Sequence, residues 1–262
     1  MKDLYDALIE GIPEGEPVEE VVCVPRGALV RSRGKLGFSE FRTGWDSRPV
    51  NSRGDIRGRT LRELARGVKS WNFTEAAIGV AAMNAWYNSP AMAEQNGLIL
   101  ASQRNTEDRN ADPFIAHQTA VRGKKVVVHG HFPYMEKLLK PVCDLFIVNR
   151  YPQKGDYPET ALDYLVPGSD FVFLSAASFL DKSLPHILEL AKGAYVGLVG
   201  PVTVLSPLLF DYGVDELDGF ISKDTDLLER IQKNQEDGRI YTTGEKVSLK
   251  KTDYHEWISK RS

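Results

Sequence analysis

Between residues 125 and 235 the chain alternates short apolar segments with stretches of helical period, and this alternation constrains the fold more than any other feature. Near-continuous apolar strands separated by helices are typical of a parallel sheet covered on both faces. We therefore predict an α/β domain with a mainly parallel sheet, and residues 239–251 are predicted as a closing hairpin or edge segment. The predicted strands are Lys125 to His129, Leu145 to Val148, Phe171 to Ser175, Val196 to Val199 and Gly219 to Ser222, and the predicted helices are Tyr134 to Lys140, Thr160 to Leu165, Asp181 to Ala191, Ser206 to Tyr212 and Thr225 to Gln235.

The first hundred residues lack this alternation and predict a mixed α and β arrangement. A capping box at Thr60 to Glu63 opens a helix that ends near Lys69, and a second box at Asn72 to Glu75 opens another helix over Phe73 to Tyr87. Many side chains of that second helix are small, being alanine or glycine, so another element can approach its backbone closely. The remaining predictions are a helix over Asp3 to Ile12, strands over Val18 to Val24, Ala28 to Ser32 and Lys35 to Phe41, and a long loop over residues 42–59.

A polar connection over residues 89–122, with a short predicted strand at Leu98 to Ala101, separates the two patterns. Such a shift is typical of a boundary between domains. We predict a small α+β domain over residues 1–100, followed by the α/β domain over residues 101–262.

Composition places the chain among ordinary globular proteins. Its 262 residues are 42% hydrophobic and 26% charged, which argues against disordered and fibrous classes. No apolar run approaches the roughly 20 residues of a membrane helix, so we expect a cytoplasmic protein without membrane contact. Only Cys23 and Cys143 occur, without a CxxC motif, and we expect both to pack as small hydrophobes.

The net charge of −3 hides a strongly basic segment. Residues 26–69 contain ten Arg and two Lys against four acidic residues, whereas residues 1–25 contain seven acidic residues and one Lys. Arginine suits bidentate capture of carboxylate or phosphate, so this segment could face an anionic ligand or an acidic protein partner. The alternative is a solvated surface that neutralises the acidic N-terminal stretch across a domain or dimer contact, which leaves a homodimer possible. Nucleic acid is not expected, because no aromatic ladder or binding motif accompanies the arginines.

Three predicted strand ends carry residues suited to a ligand, and such ends meet at one edge of an open α/β sheet. The first of these segments, Gly130 to Pro133, departs from the GxGxxG pattern. Dinucleotide-binding domains have an acid that binds the ribose about 20 residues further on, and this chain has Asn149 and Arg150 there. Ordinary NAD binding is therefore disfavoured. The other two are Ser175 to Ser178 and Gly200 to Thr203, where small residues and hydroxyls before a helix predict N–H groups offered to an anion. Simple helix capping is the structural alternative.

His129 and His131 have i, i+2 spacing, which places their side chains on one face in extended structure. They could share a metal ion with Asp112, His117 or Cys143. Two imidazoles alone are weak evidence for a metal site. We expect His129 to be a core residue and His131 to be the better candidate for ligand binding or proton transfer.

Several motifs, in order along nearly the whole chain, resemble one family. They are residues 68–72 (VKSWN), 75–85 (EAAIGVAAMNA), 108–109 (DR), 112–114 (DPF), 130–133 (GHFP), 198–201 (LVGP) and 206–207 (SP), with Gly213 and Gly219. The family is that of the "putative heavy-metal chelation" proteins. The resemblance implies an enolase N-terminal-like α+β domain followed by a Rossmann-like domain, a site in the cleft between them, and a role in handling a metal ion or metal chelate.

Carried onto this chain, the resemblance and the loop ends together predict ten ligand-binding residues in that cleft. The loops offer N–H groups and hydroxyls but few thiolates, imidazoles or carboxylates, so a small anionic ligand or metal chelate is favoured over a bare metal ion. The alternative is an enzyme in which His131 transfers a proton beside a nucleotide-like or S-adenosylmethionine-like cofactor. The ten residues are Asn72, Asn84, Gly130, His131, Phe132, Ser175, Ser178, Gly200, Pro201 and Thr203.

Overall fold

Two sheets form the framework of the protein, which we describe from a computed structural model. The structure describes residues 3–24, 27–40, 48, 58–98, 100, 112–132, 134–223, 226–227 and 243–261. A three-stranded antiparallel sheet has the order β1-β2-β3, and a seven-stranded sheet has the order β10-β9-β8-β7-β4-β5-β6. The strands are β1 (Glu20–Val24), β2 (Gly27–Ser32), β3 (Lys35–Glu40), β4 (Lys125–His129), β5 (Asp144–Asn149), β6 (Tyr157–Pro158), β7 (Phe171–Ser175), β8 (Tyr195–Val199), β9 (Glu216–Ser222) and β10 (Gly244–Lys250).

The helices pack around these two sheets. Three further segments, Arg66–Lys69, Glu159–Ala161 and Pro207–Tyr212, are 3₁₀-helices. The α-helices are α1 (Leu4–Glu10), α2 (Leu61–Ala65), α3 (Phe73–Tyr87), α4 (Pro90–Gln95), α5 (Pro113–Ala116), α6 (Met135–Leu139), α7 (Leu162–Leu165), α8 (Ser178–Asp181), α9 (Leu184–Leu190) and α10 (Lys251–Ser259).

The seven-stranded sheet is parallel except for β10, which runs antiparallel to β9. Successive residues of β4 belong to different apolar clusters: Val127 joins the large core, whereas Val126 and Val128 join a second cluster that contains Phe114 and Met135. Because successive side chains of a strand point to opposite faces, both faces of the sheet are covered. The predicted α/β class with a mainly parallel sheet is confirmed.

Helix α3 is the buried helix of the first part, and the small residues predicted to allow close approach do so. A Cβ on Gly79 would stand 2.2 Å from the backbone nitrogen of Val68, and one on Gly37 of β3 would stand 2.0 Å from the carbonyl oxygen of Ala81. Asn72 caps the helix as predicted, since its side chain accepts from the N–H of Glu75 at 3.0 Å. The capping box at the start of α2 is likewise present.

Two asparagines of the α3 region join the first part of the chain to the second. The amide of Asn84 donates to the carbonyls of Phe38 and Val202, at 2.8 and 3.1 Å. Asn88 donates to Thr203 O and accepts from the N–H of Leu205, both at 2.9 Å. The large apolar cluster also runs through both parts. The predicted boundary between residues 100 and 101 falls beside residues outside the described ranges, so the division into two domains stays a prediction.

Within the described residues, the basic segment neutralises the acidic N-terminal stretch, as one interpretation expected. Arg31 pairs with Glu20 at 3.0 Å, and Arg62 pairs with Glu14 at 2.8 Å. Lys35 pairs with Glu16 at 3.1 Å. The pairs lie within the first part of the chain, and the domain or dimer contact of that interpretation stays a prediction. Four other arginines of the segment, Arg26, Arg42, Arg53 and Arg57, lie outside the described residues.

Several local predictions are wrong, each for an identifiable reason. The predicted helix Asp181 to Ala191 is two helices, because Lys182 adopts a left-handed conformation (φ 65°) between α8 and α9. Of the two interpretations of residues 239–251, the edge segment is confirmed, since Gly244–Lys250 form the edge strand β10 beside β9.

Further departures lie at the edges of the fold. Cys23 is exposed because it lies on the edge strand β1. The polar connection contains α4 and α5, while Thr225 to Gln235 lies almost wholly outside the described residues. None of the described helices has the length and apolar character needed to cross a lipid bilayer.

Candidate functional site

The carboxyl ends of β4, β5, β7 and β8 open into one cleft of about 550 Å³. After β4 the chain forms β5 on one side of that strand and later returns to form β7 on its other side. In open α/β sheets this reversal of strand order is the usual place for a ligand. Glu40, at the end of β3, is the one described lining residue from the first part of the chain.

Two glycines with positive φ shape the floor of the cleft. Gly130 follows β4 with φ 106°, and Gly200 follows β8 with φ 134°, a region that other residues rarely adopt. A Cβ on Gly130 would stand 2.8 Å from the Cβ of Ser175, so a larger residue would push into the end of β7. Glycine therefore keeps the space between the two strand ends open.

The prediction that these loops offer their N–H groups to an anion is wrong at three positions, because those groups complete the sheet. The helices that follow β4 and β7 are also short, five and four residues, and a 3₁₀-helix follows β8. The macrodipole of such short segments is weak. The three N–H groups are those of Gly130, Ala176 and Gly200, which donate to Val148 O (2.9 Å), Val199 O (2.9 Å) and Asp218 O (3.1 Å).

Six of the ten predicted ligand-binding residues line the cleft together, and four do not. Ser178 and Thr203 lie near it but are fully buried. Asn72 caps α3, and Asn84 holds β3 to the loop after β8. The six that line the cleft are Gly130, His131, Phe132, Ser175, Gly200 and Pro201. Their role in binding stays a prediction.

Side chains supply the polar character of the cleft. The Oγ atom of Ser175 accepts weakly from the N–H of Ala177, at 3.4 Å, which leaves its own hydrogen for another acceptor. Tyr134 donates to Asp112 Oδ2 at 2.6 Å, and burial, followed by this hydrogen bond, raises the pKa of the phenol above its ordinary value. Further amide, phenol and amine groups in the lining come from Asn149, Tyr151, Gln153 and Lys246.

His131 has the best-defined hydrogen-bonding partner of the cleft. Its Nδ1 atom lies 3.2 Å from Oδ2 of Asp156, whose side chain is only 3% exposed. The same Oδ2 atom accepts from the backbone N–H of Gln153 at 3.0 Å, which fixes the carboxylate. A carboxylate at Nδ1 orients the ring and leaves Nε2 as the atom that can accept a proton.

The other predicted metal ligands are held apart by separate partners. His129 is buried, as predicted, and its Nε2 lies 3.8 Å from Glu159. His117 pairs with Glu216, and the Sγ atom of Cys143 donates to the carbonyl of Leu139 at 3.2 Å. Across the described ranges, no three His, Cys, Asp or Glu side chains converge on a point where a metal ion could be bound. The described donor set therefore does not fit a bare metal ion.

A pair of carboxylates on β9 borders the cleft. Glu216 is buried and surrounded by partners: His117, Tyr195 (2.9 Å) and Ser248 (2.8 Å) bond to it. Burial alone would raise its pKa, but the hydrogen bond and charge of His117 lower the pKa below its ordinary value. Asp218 lines the cleft two residues later. Burial, and then the charge of Glu216, raise the pKa of Asp218 well above its ordinary value.

Sequence reasoning missed Asp218, Asp156 and Lys246. A signal for Asp218 was present, because Glu216 and Asp218 have i, i+2 spacing around Leu217, which places both acids on one face of a strand. Asp156 and Lys246 had no such signal. Their places in the site depend on how distant segments pack together.

These features define the class of the protein. It is a Rossmann-like α/β protein with a small-molecule-sized cleft at the switch point of its parallel sheet, preceded by an α+β part. Residues 112–250 match the family model DUF364, and residues 5–87 match the family model DUF4213, both described as "Putative heavy-metal chelation". The chain belongs to the DUF364 family.

Solved structures of the family share the fold. A DUF364 protein of unknown function from Desulfitobacterium hafniense is 43% identical, with a TM-score of 0.84 over 94% of this chain and 97% of the other. One from Pyrococcus horikoshii, at 20% identity, has a TM-score of 0.73 over 94% and 98% of the two chains. An uncharacterized protein of Methanocaldococcus jannaschii is 27% identical over 190 residues, 70% of this chain and 68% of the relative.

Proposed function

We propose that the protein binds a small oxyanion-bearing molecule, free or as a metal chelate, in the cleft at the carboxyl edge of the parallel sheet. The observation that carries the proposal is the open space between Gly130, Ser175 and Gly200 at the point where strand order reverses. Its volume of about 550 Å³ lies in the usual range for small-molecule sites, roughly 300–1,000 Å³. The N–H groups of Gly130, Ala176 and Gly200 are used within the sheet, so side-chain donors such as Ser175 would bind the ligand's oxygen atoms.

A chelate agrees with both the family description and the donor set. The described side chains do not gather three metal ligands, so a metal ion would arrive with its coordination sphere already filled by an organic molecule. The protein would then recognise the oxygen atoms and shape of the chelator. Metal selectivity would follow from the chelator and not from the protein.

The test begins with native mass spectrometry of the purified full chain, which detects a co-purified molecule. Thermal shifts are then measured with citrate, tartrate and EDTA, each with and without Zn²⁺ or Ni²⁺. Ser175→Ala is expected to weaken binding about tenfold, the effect of one lost hydrogen bond. The matched control is Ser259→Ala, at an exposed hydroxyl that bonds to Glu256 O on α10. The absence of both a co-purified molecule and a shift across the panel would overturn the proposal.

A second candidate is an enzyme, and the contact between His131 and Asp156 favours it. Nε2 of His131 would take a proton from the bound molecule, and the nearby carboxylate of Asp156 would stabilise the resulting imidazolium. A nucleotide-like or S-adenosylmethionine-like cofactor that co-purifies would support this candidate. With such a substrate in hand, full turnover by His131→Ala would exclude the role of His131 as proton acceptor.

A further inference from the structure

Asp218 is a buried carboxyl group without a hydrogen-bond partner in the part of the chain that the structure describes. It is 5% exposed, it lines the cleft, and both carboxyl oxygens are withdrawn from solvent. A buried ionised carboxylate without partners is costly, and such a group keeps its proton instead. The question is therefore what surrounds Asp218 and whether anything nearby could hold its charge.

Most of the described groups around Asp218 are engaged with Glu216 or carry negative charge. On the neighbouring strand, Ser248 and the charge of Lys250 act to lower the pKa of Asp218, but burial and the charge of Glu216 outweigh them. Ser248 lies opposite Asp218 and donates its hydroxyl to Glu216 Oε1 at 2.8 Å. Lys250 lies 3.5 Å from that same Glu216 atom. Lys246 of β10 lines the cleft opposite Phe220, beyond salt-bridge distance of Asp218.

The remaining elements packed around Asp218 bring acids and neutral phenols. Asp112, just before α5, accepts the hydroxyl of Tyr134, and its negative charge raises the pKa of Asp218 further. Tyr195 of β8 donates to Glu216. Among the described residues, the nearest cations and donors bond to Glu216 and only partly offset the burial of Asp218 and the negative charge beside it. Two neighbouring carboxyl groups whose pKa values are shifted in opposite directions are typical of a functional site in which one acts as an acid and the other as a carboxylate.

We propose that Asp218 is a proton-bearing carboxylic acid in the wall of the cleft, and that a rotation of its side chain, whose oxygens are covered in the structure described, lets it donate a hydrogen bond to an oxyanion of the bound molecule. This inference rests on the proposed function and names the residue that recognises the ligand. It also explains how a cleft lined by Glu40, Asp112 and Asp218 accepts an anion, because the innermost of the three carries no charge. Ligands that offer an oxygen acceptor at this wall are favoured, and the release of the Asp218 proton would expel them.

The protonation state is measured first, without a ligand, on the full chain. The protein is labelled with ¹³C at the aspartate side-chain carboxyl, and the Asp218 signal is assigned by its disappearance in Asp218→Asn. We expect the chemical shift of a protonated acid at pH 7, with the transition at higher pH. The shift of an ionised carboxylate at pH 7 would overturn the inference, whatever the cleft binds.

The donor role is measured with tartrate, a dicarboxylate chelator whose own carboxylates are ionised at neutral pH and above. Binding to the wild-type protein is expected to weaken about tenfold for each pH unit above the pKa of Asp218, because the bound form needs the proton. Asp218→Asn keeps a neutral N–H donor at this position, so binding should survive and its dependence on pH should vanish. Asp211→Asn, at an exposed aspartate that does not line this cleft, is the control and should retain the dependence.

The outcomes separate the two proposals. A pH dependence that persists in Asp218→Asn would overturn the donor role, as would a failure of tartrate to bind while citrate or EDTA binds. A failure of the whole panel would overturn the proposed function. The carboxyl titration would then decide by itself whether Asp218 holds a proton.

Discussion

Gly37 of β3 lies against the backbone of Ala81 in α3 so closely that a Cβ on Gly37 would stand 2.0 Å from the Ala81 carbonyl oxygen. Because an ordinary nonbonded contact is well above 3 Å, no side chain fits between the strand and the helix. The contact fixes the distance between the three-stranded sheet and α3. That distance in turn sets where Glu40, at the end of the same strand, meets the cleft.

We therefore expect Gly37→Ala to destabilise the protein by at least about 3 kcal/mol, the upper range for overpacking, because rigid backbone atoms must move. Urea unfolding measures the change. Gly15→Ala is the matched control, since nothing lies within 4 Å of a Cβ at Gly15, and we expect less than about 0.5 kcal/mol there. Equal effects of the two substitutions would contradict the close contact.

Asn88 is expected to be the most sensitive polar residue between the two parts of the chain. Its side chain makes three buried hydrogen bonds, to Thr203 O, to Phe220 O and from the N–H of Leu205. Asn88→Ala leaves these backbone groups without partners, and we expect a loss of about 3 kcal/mol or more in the free energy of unfolding. Gln95→Ala, at an exposed amide on α4, is the control and should be nearly neutral. A neutral Asn88→Ala would show that the backbone groups find other partners.

Glu216 should make the protein sensitive to acid. Its pKa is lowered in the folded protein, so the folded state releases its proton more readily than the unfolded state. The resulting stabilisation is full above the ordinary pKa of 4.5 and is lost as the pH falls through the lowered value. Because it breaks a buried pair, Glu216→Gln should lower the free energy of unfolding by about 3–5 kcal/mol at pH 7. The further loss of stability on acidification should be smaller in this variant than in the wild type. Chemical unfolding between pH 3 and pH 7 measures both, with the exposed Glu189→Gln as control.

Asp218 should behave in the opposite way. Its raised pKa means that, above the ordinary value of 3.8, the folded state keeps a proton that the unfolded state has released. Stability therefore falls as the pH rises over this interval. Asp218→Asn cannot ionise, so its melting temperature should rise relative to the wild type as the pH increases from about 4 to 8. A constant difference in melting temperature across that range would contradict the raised pKa.

Lys182 should make the free energy of unfolding rise with pH above about 8. Its amine donates to the carbonyls of Ser70 and Leu180 and lies 4.9 Å from the centre of the Phe73 ring. Burial lowers its pKa from 10.5 to about 8. Between these values the unfolded state holds the proton more tightly, so stability rises with pH across this window.

The rise should be absent in Lys182→Met, whose side chain does not titrate. Free energies of unfolding at pH 7.5, 8.5 and 9.5 measure the difference between the two proteins. Lys192→Met, at an exposed lysine, should follow the wild-type curve. A rise that persists in Lys182→Met would assign it to another group.

The parts of the fold that the sequence predicted are those encoded by local patterns. Helix α3 and five strands, β4, β5, β7, β8 and β9, follow from apolar period and capping, which act over a few neighbouring residues. The short edge strand β6 was not predicted. The meeting of the β4, β7 and β8 ends at one edge follows from the rule that parallel strands share a direction. The buried state of His129 was predictable in the same way, from its place at the end of an apolar strand.

The wrong predictions concern interactions between distant segments or single backbone angles. The left-handed turn at Lys182 has no glycine or asparagine to mark it. The N–H groups of Gly130 and Gly200 pair across the sheet, and a local loop pattern does not show that. The same limit applies to Asp156, which reaches His131 from 25 residues further along the chain.

The sequence alone thus determined the fold class, the buried helix and the edge of the sheet at which the strand ends meet, since each depends on short-range periodicity. Only the tertiary structure decided which polar groups serve the fold and which line the cleft. Glu216 and Asp218 show why: they are the same kind of group on the same face of one strand. Their pKa values shift in opposite directions because long-range packing places His117 beside Glu216, and the charge of Glu216 then acts on Asp218.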